Sequence, residues 1–120
     1  MDLEIFRNIC LSKQAVTEEL PFGPDTLVFK VCGKVFALTG LEIIAFQANL
    51  KCDPAYALEL REQYEGVQPG YHMNKQHWNT VYAESDLPES LFVSLIDHSY
   101  QLVVAKLSKK DKELFNFTHE

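Results

Sequence analysis

The run "TLVFKVCGKVFALTG", residues 26–40, sets two stretches of β-branched and aromatic residues on either side of Cys32-Gly33. Such side chains suit the pleated surface of a sheet, and a two-residue interruption ending in glycine is the signal for a tight hairpin. The spacing predicts two antiparallel strands with Lys30 and Lys34 near the tip. A lone hairpin cannot bury its apolar face, so the rest of the chain has to supply the cover.

Residues 2–16 place Leu3, Phe6, Ile9, Cys10 and Val16 at helical spacing, which predicts an amphipathic first helix ended by "LPFGPD" at 20–25. A third strand is expected over 43–50, where Ile43, Ala45, Gln47 and Asn49 alternate with Ile44, Phe46, Ala48 and Leu50. Asp53 as N-cap and Pro54 at the first helical position open a second helix that runs through Tyr64 and closes at Glu65-Gly66. After "VQPG" two short strands are expected about a turn near Asn74-Lys75, the second from His77 to Ala83. Ser85 or Asp86 then caps the longest helix, through Leu107, and Ser108 with Asp111 caps a short terminal one. Two antiparallel strand groups separated by a helix predict an α+β fold, a single domain over 1–120, with one sheet covered on a face by the two longer helices.

With 47% hydrophobic and 23% charged residues, the 120-residue chain has the composition of a globular protein able to bury a core. No apolar run reaches the ~20 residues that span a bilayer, and "MDLEIFRNICLSK" carries acids where a signal peptide carries basic residues. A cytoplasmic location without membrane contact is therefore expected. Cys10, Cys32 and Cys52, an odd number at wide spacing, read as reduced thiols filling the core. The net charge of -6 opposes attraction to phosphate backbones, so any nucleic-acid contact has to rest on local charge.

Three chemistries can be weighed against that background. His72 and His77 stand five apart, without the close pairs of zinc sites, and no metal or cofactor is expected. Asp97-His98-Ser99 has the letters of a triad, but neighbouring helical residues point about 100° apart. Packing, with His98 bonded to a nearby loop, is the better reading, and Glu18-Glu19, Asp86 and Glu89 read as acids at helix ends. With no nucleophile elbow, phosphate loop or dinucleotide fingerprint, a non-enzymatic protein is expected. Local charge does gather elsewhere: residues 66–83 carry one lysine, two histidines and no acid, and "KLSKKDK" at 106–112 holds four lysines against one aspartate. Two basic-tipped hairpins could straddle DNA as wings, with Asn74, Lys75 and Gln76 on phosphates or base edges and Tyr71 or Trp78 as planar surfaces. Lysines at strand edges also serve solubility, and Trp78, Asn74 and Asn79 also serve cores and turns.

"LPFGPDTLVFKVCGKVFAL" at 20–38, "LKCDPAYALELREQY" at 50–64, "PGYHMNKQHWNTV" at 69–81 and "LIDHSYQLVVAKL" at 95–107 together resemble the MmcQ/YjbR family of small bacterial proteins, in order and over nearly the whole chain. The resemblance implies a fold similar to the bacterial frataxin CyaY, with an antiparallel sheet, and a predicted DNA-binding function through a double-wing motif. It also carries a signature onto Pro69, Gly70, His72, Asn74, Lys75, His77, Trp78, Asn79 and Thr80, with Phe22, Gly23 and Lys51 before it; Gln76 stands where many relatives carry arginine. The expected DNA-contacting set is Lys30, Lys34, His72, Asn74, Lys75, Gln76 and His77. The other reading is a protein or small-ligand interaction module with a polar pocket of Tyr71, His72, Asn74, His77, Trp78 and Asn79, its partner and oligomeric state left open.

Overall fold

The computed structural model describes residues 1–41, 45–70 and 73–117. In chain order these form α1 (Leu3–Leu11), β1 (Val16–Glu19), β2 (Thr26–Val31), β3 (Lys34–Gly40), β4 (Gln47–Lys51), α2 (Pro54–Gln63), β5 (Val67–Pro69), β6 (Trp78–Tyr82), α3 (Glu89–Ala105) and α4 (Lys109–Leu114). The six strands make one sheet in the order β1-β2-β3-β4-β6-β5, and every neighbouring pair is antiparallel. The fold is α+β, as the sequence predicts.

The hairpin at 26–40 forms because its two turn residues both take left-handed backbone, Cys32 at φ 49° and Gly33 at φ 78°. That turn matches the right-handed twist of the strands it joins. Cys32 is thus a half-buried turn residue, whereas Cys10 and Cys52 are buried in the core, and all three thiols are free. Pairing along β2–β3 slips between Phe29 and Lys30, so Phe36 is an extra residue on β3 and bulges the strand.

The first helix stops at Leu11, short of the expected Val16. Ser12 is its C-cap, Ala15 takes left-handed backbone at φ 61°, and the Tyr100 hydroxyl holds the bend by donating to the Gln14 carbonyl (2.7 Å). Val16 then starts an edge strand that pairs with Val31, so Glu18 and Glu19 lie on β1 and not at a helix end. The third strand starts at Gln47, with Ala45 and Phe46 before it and Ile43 and Ile44 outside the described residues. Asp53 caps α2 as expected, its carboxylate accepting from Tyr56 N–H, and Ser108 caps α4 by accepting from Asp111 N–H.

Neither Ser85 nor Asp86 caps α3, whose N-cap is Pro88. The Asp86 carboxylate instead accepts from Gly66 N–H (2.8 Å) and Glu65 N–H (2.9 Å), and those bonds hold its pKa below the usual range. They tie the lead into α3 to the start of β5. Gly66 is needed there because a Cβ would lie 2.7 Å from that of Ser85.

Alternate strand residues Phe29, Ala37, Ala48, Leu50, Val67 and Val81 join Phe6, Phe92, Ile96 and Val103 in one core. The Phe6 ring meets those of Phe29, Phe46 and Phe92 at 5.1 to 6.3 Å, so α1 and α3 cover the same face of the sheet. α3 packs on β2, β3 and β4, while α2 packs beside β5. Among the described residues no helix is long and apolar enough to cross a membrane.

Candidate functional site

The registers decide where the two hairpin loops sit. β3 runs down from Lys34, β4 runs up to Lys51, where it pairs with Trp78, and β5 runs up to Pro69 opposite Asn79. The Cys32-Gly33 turn and the 70–77 loop therefore leave the same end of the sheet, with the end of β4 between them.

From residue 73 to residue 77 the loop is shaped largely by its own polar groups. The Asn74 side chain accepts from Gln76 N–H (2.9 Å), and the Asn74 carbonyl accepts from His77 and Trp78 N–H. The loop closes where Gly70 N–H donates to the Trp78 carbonyl (2.9 Å); a Cβ on Gly70 would sit 3.1 Å from that of Trp78. Arg61 of α2 then pins the loop from behind. Its Nε donates to the Asn79 side chain (2.7 Å), and its Nη2 donates to the carbonyls of Trp78 (3.3 Å) and Lys75. Asn79, only 2% exposed, is a buried anchor on the helix side. Asn74, Lys75 and Gln76 are exposed, His77 and Trp78 half-buried, and Tyr71 and His72 lie outside the described residues.

At the other loop, Lys30 pairs with Glu19 across β1 and β2 (3.3 Å), so a carboxylate already answers this tip lysine. Lys34 is exposed and turns toward the middle of the edge. It lines a hollow of about 230 Å³ with Val35, Lys51, Val103 and Lys106. A hollow of about 150 Å³, bordered by Lys51, Cys52, Asp53, Pro54, His77, Leu102 and Lys106, adjoins it. Three lysines from β3, β4 and the end of α3 thus border one cleft that reaches His77. None of the three has an ion pair among the described residues. Burial, and then the charge of Lys106, depress the Lys51 pKa, as expected where like charges meet without a counterion. Asp53 is the acid at this cleft, and its carboxylate is bonded to Tyr56 N–H (3.1 Å).

The Phe36 bulge makes room for this cleft. Where β3 swings away from β4, the Ser99 hydroxyl of α3 donates to the Phe36 carbonyl and accepts from Lys51 N–H (2.9 Å). It takes the place of a missing ladder bond. The neighbours of Ser99 are equally occupied: His98 Nε2 accepts from Asp53 N–H (3.2 Å), the loop bond the sequence suggested, and Asp97 pairs with Lys13. Ser99 is buried, so the three residues tie α3 to the sheet, to the start of α2 and to the chain after α1, and form no proton relay. Burial pushes the Cys10 thiol up to about 12 and the Cys52 thiol up to about 11, which makes both poor nucleophiles at neutral pH. Among the described residues no group of three His, Cys, Asp and Glu side chains gathers as metal ligands would.

Sequence reasoning missed Arg61, Lys106 as a partner of Lys34, and the joining role of Ser99. Lys51 entered only through the family resemblance. Arg61 is a cation in the last turn of α2, where a basic residue also suits the helix dipole, so the sequence does not mark its loop contacts.

The likeness to known proteins covers these elements. The YjbR family model matches residues 11–102. The uncharacterized protein YbdF of Escherichia coli O157:H7 is 45% identical over 94 residues, which are 78% of this chain and 76% of that one. The uncharacterized protein YjbR of Escherichia coli K12 is 42% identical over 105 residues, 88% of this chain and 89% of that one. Among solved structures, a Deinococcus radiodurans protein with a DUF419 domain superposes with a TM-score of 0.90 at 33% identity, over 98% of this chain and 89% of that one. A Pseudomonas syringae protein superposes with a TM-score of 0.73 at 30% identity, over 85% and 98% of the two chains. With the hairpin, the Asp53 cap, the pinned loop and most of α3 in the matched stretch, the chain belongs to the YjbR family.

Proposed function

We propose that this protein binds DNA without catalysing a reaction on it, along the sheet end where the Cys32-Gly33 turn and the 70–77 loop flank the lysine cleft. The observation that carries this reading is the meeting of Lys34, Lys51 and Lys106 in one cleft, with no ion pair to any of them among the described residues. An unanswered cluster of like charge costs folding energy, and a phosphate backbone would relieve that cost. The two loops act as wings in the sense that they frame the strand; Asn74, Lys75 and Gln76 are exposed on one of them, and His77 borders the cleft. Lys30 contributes less than Lys34 because Glu19 already pairs with it. The net charge of -6 keeps affinity modest and confines attraction to this edge. Free thiols at Cys10, Cys32 and Cys52 suit a reducing compartment such as the cytoplasm.

The test is a fluorescence-anisotropy titration of labelled DNA at low salt against the native protein and a Lys34→Ala/Lys51→Ala/Lys106→Ala variant. Saturable binding that the variant loses by at least tenfold supports the proposal. Unchanged binding by the variant would move the interface elsewhere, and no binding by either protein would overturn the reading.

A further inference from the structure

The sheet face turned away from the helices holds a larger hollow of about 600 Å³, lined by Phe22, Thr26, Val35, Leu38, Thr39, Gly40, Gln47, Asn49 and Met73. Its volume falls in the range of sites for small organic groups. Among the described residues no charged side chain is in the lining. Leu38 makes an apolar floor, while Phe22 and Met73 reach it from two different loops, 20–25 and 70–77. Phe22 is 72% exposed, so its ring is accessible at the rim of the hollow.

Besides the hydroxyls of Thr26 and Thr39, the hollow has two side-chain amides with capacity left. The Asn49 side-chain oxygen accepts from the Thr80 hydroxyl (2.6 Å), and its Nδ2 has no partner among the described residues. The Gln47 side chain likewise has none there, since its bond with Thr39 uses the backbone carbonyl. A side-chain amide presents a donor and an acceptor side by side, which is the pattern that matches the edge of a nucleobase.

The hollow also adjoins the lysine cleft. Val35 lines both, and on β4 Asn49 and Lys51 are two positions apart, about 7 Å along a strand. One nucleotide spans such a step, with its base at Asn49 and its phosphate at Lys51.

We infer that the open-face hollow receives an unstacked base while the lysine cleft holds the adjoining phosphates, so that single-stranded DNA is the preferred ligand. This rests on the DNA-binding reading above and narrows it. Paired and stacked bases of a duplex cannot enter a hollow on the sheet face, whereas a free strand turns a base in at no unpairing cost. Phe22 is the stacking surface, and Gln47 and Asn49 contact the base edge.

The experiment compares labelled twelve-nucleotide single strands with duplexes of the same length at one low salt concentration, using the whole chain. The native protein is expected to bind the single strand at least tenfold more tightly. Phe22→Ala, on an exposed loop and so safe for folding, should weaken single-strand binding about tenfold, the usual effect of losing one stacked base, and leave duplex binding unchanged. Asn49→Asp keeps the acceptor for Thr80 but removes the donor and adds a charge, and should act in the same direction. Lys51→Ala should weaken both ligands alike. If duplex binds as well as single strand and Phe22→Ala changes neither, the base hollow is refuted while the lysine edge stands. If neither ligand binds the native protein, both readings fall.

Discussion

Arg61 serves three acceptors within residues 75–79, and its planar fork is what allows it to do so. Arg61→Ala would leave the buried Asn79 side chain without its donor and free the base of the 70–77 loop. The expected cost is about 1.5–3 kcal/mol, the range for hydrogen bonds to a charged group, measured as a lower urea midpoint. Arg61→Lys should recover only a minor part, since a point charge cannot span the same acceptors. Ser99→Ala should cost about 1–3 kcal/mol by stranding the Phe36 carbonyl and Lys51 N–H inside the molecule. It should also loosen the cleft, read as increased hydrogen exchange at Lys51 N–H. Neither role was legible in the sequence. Both depend on backbone groups brought close by a bulge and a loop, and no side-chain pattern marks a carbonyl that lacks a partner.

Elements whose signals are local were legible, and those whose signals are tertiary were not. The 26–40 hairpin carries its own turn, and α2 and α4 carry their caps at Asp53 and Ser108. β1 was hidden because Val16 falls on the apolar spacing of α1, and only pairing with β2 reveals it as a strand. The start of α3 was misread because Ser85 and Asp86 have capping chemistry but spend it on other backbone groups.

The junction of α2 with α3 gives a pH prediction at this scale. His98 accepts from Asp53 N–H and packs edge-on against Tyr56, so it must stay neutral. Burial lowers its pKa from the ordinary 6.5, against the opposing pull of Asp53. A group with a depressed folded pKa stabilises above its unfolded value, and that stability is lost as pH falls through the folded one, because the unfolded chain takes a proton that the folded chain refuses. The urea midpoint of the native protein should therefore fall between pH 7 and pH 5 more than that of His98→Asn. Parallel curves for the two proteins would remove His98 from the junction.

On the scale of the whole molecule, the acidic composition argued against nucleic acid, and the fold changes the weight of that argument by gathering lysines that are distant in sequence. Lys34, Lys51 and Lys106 meet where the β3–β4 pairing ends at Ala37 and Leu50 and the end of α3 lies alongside. Of the sequence-derived contact residues, Lys34 and His77 border this cleft, Lys30 is paired with Glu19, Asn74 shapes its own loop, and His72 lies outside the described residues. Under the DNA-binding proposal, the net charge of -6 and the three cleft lysines predict weak binding with a definite salt dependence. Neutralising three phosphates gives a slope of log affinity against log salt of about -2.7 on duplex and about -2.1 on a single strand.

The most direct measurement is that slope, taken from anisotropy titrations of DNA at several salt concentrations with the native protein and with Lys51→Ala. The expected result is saturable binding whose slope becomes shallower by nearly one unit, about 0.7 on a single strand and 0.9 on duplex, when Lys51 is removed. Binding that is absent at low salt, or a slope that Lys51→Ala leaves unchanged, would contradict the assignment of the lysine edge as the DNA site.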